Sequence, residues 1–185
     1  MTRTTLPITN IRTTRNVMAA SAAAVGLLAC ILAANFVTSR YGVVPVGFGL
    51  MATAGTYFAG MSFVLRDALQ DAAGKRWTLA LIAAGAALSF ILADPFIALA
   101  SAVAFLSSEM ADLVVYTPLR KRGYIRAAVA SNIVGSFVDT IIFLTIAGFP
   151  IQDALAGQMV GKLVVTAVAV VAVVGFRAWR NSRIA

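Results

Sequence analysis

The stretch FIALASAVAFLSSEMADLVVY, residues 96–116, decides the fold. At ~1.5 Å of rise per residue it makes a helix ~30 Å long, the thickness of a bilayer's hydrocarbon core. Its only charges are Glu109 and Asp112. A charge at that depth costs at least ~2.5–3.5 kcal/mol, so each carboxylate must face a partner, a cavity or a substrate. The two stand at i and i+3 and share one helix face, which Phe105 and Tyr116 extend. The segment therefore reads as a membrane helix with a polar side turned inward.

The rest of the chain has the same character. Of its 185 residues 61% are hydrophobic and only 12% charged, well under the ~25% charge of soluble domains. Apolar runs predict six spans near Val17–Val37, Val44–Leu65, Thr78–Ala93, Phe96–Tyr116, Ala127–Ala147 and Ala156–Phe176. The expected fold is all-α and polytopic: a cytoplasmic arm over 1–16, a six-helix domain over 17–177 and a basic tail over 178–185. Asp94-Pro95 should close a tight hairpin, with Asp94 capping the fourth helix and Pro95 in its first turn. Gly148-Phe149-Pro150 marks a second sharp break. The apolar run after residue 16 could imitate a signal peptide, but its length and the spans behind it favour a first transmembrane helix.

Charge placement predicts the orientation. Arg3, Arg12 and Arg15 precede the first span; Arg66, Lys75 and Arg76 follow the second. Arg120, Lys121, Arg122 and Arg126 follow the fourth, and Arg177, Arg180 and Arg183 follow the sixth. The opposite side has only Arg40, so both termini are expected in the cytoplasm. The net charge of +8 is thus a membrane bias and does not call for nucleic acid.

Four ionisable side chains fall inside expected spans: Glu109, Asp112, Asp139 and Lys162. Helix rise places Glu109, Asp112 and Asn132 in the inner half, with Asp139 and Lys162 nearer the middle. Asn132, Ser136 and Asp139 share a face of the fifth helix, and Gln158 and Lys162 share one of the sixth. Three polar stripes on successive helices suggest a common cavity. Asp139 and Lys162 are at similar depth and can instead form a buried ion pair, while Asp112 can pair with Arg120 or Arg122. Glu109 has no basic neighbour in view, and three acids against one lysine leave an excess of negative charge to be offset. Phe36, Phe48, Tyr57, Phe58 and Phe105 read mainly as lipid-facing or packing residues, one or two of which could stack on a flat ligand. Gly157-x-x-x-Gly161 is a close-packing pattern for helices of this chain or of a dimer.

Several classes are disfavoured. The chain has no histidine and one cysteine, Cys30, so a Cys/His metal centre and a disulfide framework are excluded. No phosphate loop or nucleophile–base pair is present, so neither an enzyme nor a cofactor is expected. Any driving force must come from a gradient, a partner or trapping of the cargo.

The run Ser108-Glu109-Met110-Ala111-Asp112, with Val115-Tyr116-x-x-Leu119-Arg120, Ser131-Asn132 and Val138-Asp139-Thr140-x-x-Phe143, resembles the queuosine precursor transporter (VUT) family. Asn35, Asp67 followed by Gly74, and Gly161-Lys162 extend the resemblance, which runs from about Ala34 to the sixth span. Glu109 stands where some members have Gln, and Gln158 where some have Asp. The resemblance implies uptake of 7-cyano-7-deazaguanine or a related 7-deazapurine across the cytoplasmic membrane. It also implies a binding or translocation set of Asn35, Asp67, Glu109, Asp112, Asn132, Asp139, Gln158 and Lys162. In that reading Glu109 or Asp139 accepts the base's paired N–H donors and Asn132 or Lys162 donates to its carbonyl. Asp67 and Asp112 belong to an inner gate or to orienting pairs. The alternative is a substrate-capture subunit of an energy-coupling-factor importer. A homodimer and coupling to an ion are left open by the residues.

Overall fold

In the computed structural model the backbone is described for residues 9–122 and 124–182. Six helices dominate: α1 (Thr9–Tyr41), α2 (Thr56–Ala73), α3 (Lys75–Leu92), α4 (Pro95–Leu119), α5 (Tyr124–Ala147) and α6 (Ile151–Ser182). A short antiparallel hairpin, β1 (Val43–Gly47) and β2 (Leu50–Thr53), joins α1 to α2. Four helical segments among the described residues are long and apolar enough to cross a membrane: Val17–Tyr41, Lys75–Leu92, Pro95–Leu119 and Val129–Ala147. The protein is a helical membrane protein.

The hairpin corrects the second expected span, within a fold that is otherwise helical as expected. Residues 44–53 are uncharged and apolar, which a hydropathy window scores as membrane helix, but their local chemistry is that of strands and a turn. Val43, Val44 and Val46 are β-branched. Pro45 lacks a backbone donor and sits beside a register irregularity between Pro45 and Gly47. The tip Gly47-Phe48-Gly49 has φ values of 99°, 53° and 72°, a left-handed run that ends any helix there. The helix begins only at Thr56 and then runs past the expected end at Leu65 to Ala73. Gly74 alone, at φ 89°, separates it from α3. Arg66 therefore belongs to a helix and not to a loop.

The other breaks follow the expected chemistry. The Asp94 carboxylate accepts the backbone N–H groups of Phe96 (2.8 Å) and Ile97 (3.1 Å), capping α4 with Pro95 in its first turn. At the end of α5, Phe149 N–H donates to Leu144 O and Gly148 N–H to Thr145 O, with Gly148 at φ 72°. This is a Schellman closure, followed by a proline that cannot continue the helix. Helix α1 begins at Thr9, inside the stretch read as an arm, and α6 continues to Ser182 through most of the expected tail. Arg3 and Arg183 lie outside the described residues, as do the side chains of Arg12, Arg15, Arg120, Arg177 and Arg180.

The small-residue pattern in α6 serves packing within the chain. A Cβ at Gly157 would fall on the Met51 carbonyl of the hairpin, and one at Gly161 would lie 2.7 Å from the Thr56 methyl. The hairpin therefore lies across α6 at Gly157 with no room for a side chain between them. At one level of the bundle Ala23, Leu27, Leu69, Ile82 and Phe105 form an apolar core. The polar interior lies beside it.

Candidate functional site

A narrow cavity of about 60 Å³ opens between the helices on the hairpin side of that core. Helix α1 supplies Asn35 and Thr38, α2 supplies Ser62 and Phe63, α4 supplies Ser101 and Phe105, and α5 supplies Asp139 and Phe143. Gln158 and Lys162 enter from α6, and Thr53 and Gly55 close the wall at the end of the hairpin. The rings of Phe63 and Phe105 stack with centroids 6.1 Å apart and planes 20° from parallel.

The polar groups on this wall are held in fixed pairs. Lys162 Nζ donates to Asp139 Oδ2 at 2.6 Å and to Thr140 Oγ1 at 2.8 Å. It also lies 5.9 Å from the Phe63 ring centroid, within cation–π range. Lys162 is 2% exposed and is among the largest fully buried side chains. Its three donors are matched by two of these partners, and among the described residues Asp139 uses only Oδ2. One N–H and one carboxylate oxygen are left over. Gln158 Nε2 donates to Thr53 Oγ1 at 2.9 Å and so fastens α6 to the hairpin. Asn35 Nδ2 donates to Ser89 Oγ at 2.9 Å and ties α1 to α3.

A second charged group lies one helical turn away from the cavity, next along α2 from Phe63 and along α4 from Phe105. Arg66, 5% exposed, pairs with Glu109 through Nη1 and with Asp67 through Nε and Nη2, the latter two each at 2.8 Å. Its guanidinium carbon lies 5.3 Å from the Phe63 centroid and 5.8 Å from that of Phe105. Glu109 is nearly buried, at 11% side-chain exposure, whereas the Asp67 carboxylate is 53% exposed. This corrects one expectation: Glu109 does have a basic partner at its level, so the four buried charges, Arg66, Glu109, Asp139 and Lys162, balance, while Asp67 and half-buried Asp112 stand outside that balance. The partner was hidden because Arg66 follows the apolar run 44–65 and reads as a flanking charge; the helix carrying it continues for another two turns.

Of the eight expected site residues, Asn35, Asp139, Gln158 and Lys162 line the cavity, while Glu109 and Asp67 gather on Arg66. Asp112 and Asn132 are half-buried; Asn132 joins neither group, while Asp112 stands on the α4 face beside Gly135 of α5, within electrostatic range of Asp67. The polar stripes of α5 and α6 reach the cavity at Asp139 and at Gln158 and Lys162, but the stripe of α4 does not. Thr53, Ser89 and Thr140 complete hydrogen bonds that no spacing pattern announced, though Thr140 directly follows Asp139. Phe36, Phe48, Tyr57 and Phe58 are exposed, so Phe63 and Phe105 are the aromatics that meet the cavity together with Phe143.

The site thus presents an aromatic surface beside a fixed donor–acceptor edge. No curated protein and no solved structure matches the chain. Residues 91–176 match the model of a family described as putative vitamin uptake transporter. That segment holds Glu109, Asp112, Asn132, Asp139, Gln158 and Lys162. Over this stretch, 86 of its 185 residues, the chain is similar to that family.

Proposed function

We propose that the chain imports a queuosine precursor, 7-cyano-7-deazaguanine or a related 7-deazapurine, by a secondary or facilitative mechanism. It does so from the cytoplasmic membrane, which it spans six times with both termini inside. The interior charges of α2 and α6 do not speak against their spanning, because Arg66 and Lys162 are buried and paired, while Asp67 and Asp71 fall in the last two turns of α2, at its expected cytoplasmic end. With Arg66 removed from the loops, the basic residues still stand twelve to one in favour of that orientation.

The observation that carries this reading is the Asp139–Lys162 pair on the cavity wall, with an oxygen and an N–H unspent. A deazaguanine offers two adjacent N–H donors and a neighbouring carbonyl on one edge. Asp139 accepts from the donors, Lys162 gives its remaining N–H to the carbonyl, and Phe63 or Phe105 covers a face of the ring. In the present closed form the cavity is well below the ~300 Å³ at the small end of ligand pockets, so cargo is admitted only when the surrounding helices part.

The test is precursor rescue in cells unable to make the deazapurine. Expression should restore queuosine in tRNA at low external precursor, and Asp139→Ala should abolish that rescue while the protein still inserts. No rescue by the parent chain sinks the proposal. Rescue that requires a co-purifying ATPase assigns the chain instead to the substrate-capture subunits of energy-coupling-factor importers.

A further inference from the structure

Arg66 contacts two carboxylates and two aromatic rings, yet it does not line the cavity. It rests against the stacked rings of Phe63 and Phe105, which do. Helix α2 reaches Arg66 ~4.5 Å beyond Phe63, and α4 reaches Glu109 ~6 Å beyond Phe105. The ion pair therefore lies directly behind the ring pair, on the side away from the hairpin. Its third member differs in kind. Glu109 is enclosed, whereas Asp67 presents a half-exposed carboxylate at the same guanidinium. One cation thus bridges an enclosed acid and an acid at the surface of the bundle.

That asymmetry defines a movement. Arg66 already gives two of its donor nitrogens to Asp67, so it can leave Glu109 and turn outward onto Asp67 without losing an ionic partner. The same turn lifts the guanidinium off both rings and frees them to separate. It also uncovers the Glu109 carboxylate one turn below the cavity. A bare, enclosed carboxylate requires donors, and a molecule carrying two adjacent N–H groups supplies them.

We infer that Arg66 is the inward gate of the pathway: it shuts the cavity by holding Glu109 behind Phe63 and Phe105, and opens it by pivoting onto Asp67. Glu109 then serves as a second station for the cargo's N–H edge, after Asp139. The two acids are used in sequence, and Arg66 and the cargo alternate on the inner one. This deepens the transport reading and rests on it, but gating can be read out without any cargo.

The experiment starts from Cys30→Ser, which removes the single cysteine, with Ser101→Cys as a reporter on the cavity wall. Membrane-impermeant methanethiosulfonate is applied to right-side-out and inside-out vesicles. In this background the reporter should react slowly from the cytoplasmic face. Adding Arg66→Ala or Glu109→Gln should raise that rate about tenfold, as when an open form grows from about 1% to about 10% of the population, with no change from the other face. Adding Asp67→Asn, which removes the landing partner, should leave reactivity at or below the background. Unchanged reactivity in both Arg66→Ala and Glu109→Gln overturns the gate. So does an equal rise from both faces, which marks a loosened bundle. Failure of precursor rescue alongside the one-sided rise would refute the cargo and leave the gate standing.

Discussion

Replacing Lys162 with Met tests how the interior is held together. The side chain is 2% exposed and donates to Asp139 and Thr140, so the substitution leaves an enclosed carboxylate without its cation. Breaking a buried pair from one side costs about 3–5 kcal/mol, mostly from the stranded charge. For a chain of this size each kcal/mol lowers the melting temperature by about 2–4 °C, so the variant should melt about 6–20 °C lower. Asp139→Asn should cost less than Lys162→Met, because an ammonium with Thr140 and the Phe63 face is less isolated than a bare carboxylate. The double variant Asp139→Asn/Lys162→Met leaves no charge behind and should recover at least ~1 kcal/mol relative to the sum of the singles. Thermal unfolding in detergent, followed by fluorescence-detected size exclusion, reads all four proteins. Strict additivity of the two substitutions, or a Lys162→Met protein as stable as the parent, would refute the reasoning.

Two further outcomes follow from the packing. Gly157→Ala should destabilise the protein by more than ~1 kcal/mol, because the new methyl falls on the Met51 carbonyl of the hairpin. Gly175→Ala, in open space on the same helix, should be neutral or stabilising by up to ~1 kcal/mol, and equal melting temperatures for the two would remove the close-contact argument. Asp94→Ala should lower stability by ~1 kcal/mol through loss of the cap on Phe96 and Ile97, whereas Asp94→Asn, which keeps an acceptor, should restore most of it in the same melting assay.

What the sequence made legible depended on whether a signal was local or carried a long lever. The cap at Asp94 and the break at Gly148 are local, and residue types alone specify them. The approach of Asp139 to Lys162 was legible from depth, since straight helices turn residue number into height. The hairpin was not, because hydropathy has no directional content and a Val-rich segment without charge scores alike as helix and strand. The error propagated: a second span placed too early ended too early, and that put Arg66 in a loop and left Glu109 seemingly alone. The four residues that share the cavity come from three helices, and their convergence with Thr53 of the hairpin depends on tilts and close approaches that spacing along one helix does not encode.

The hairpin's seat on α6 also sets the order in which the protein can be completed. Met51 and Gly157 meet across more than half the chain, and Gln158 and Lys162 come from the same last helix. Arg66 and Glu109 can find each other as soon as α4 is made. Asp139 has to wait for α6, and until then an acid sits in the bilayer without its cation, the wall of the cavity is missing one side and the hairpin has nothing to rest on. A chain that lacks α6 therefore leaves the Asp139 carboxylate uncompensated in an apolar setting. Helix α6 thus completes the interior twice over, giving Asp139 its cation and the hairpin its seat.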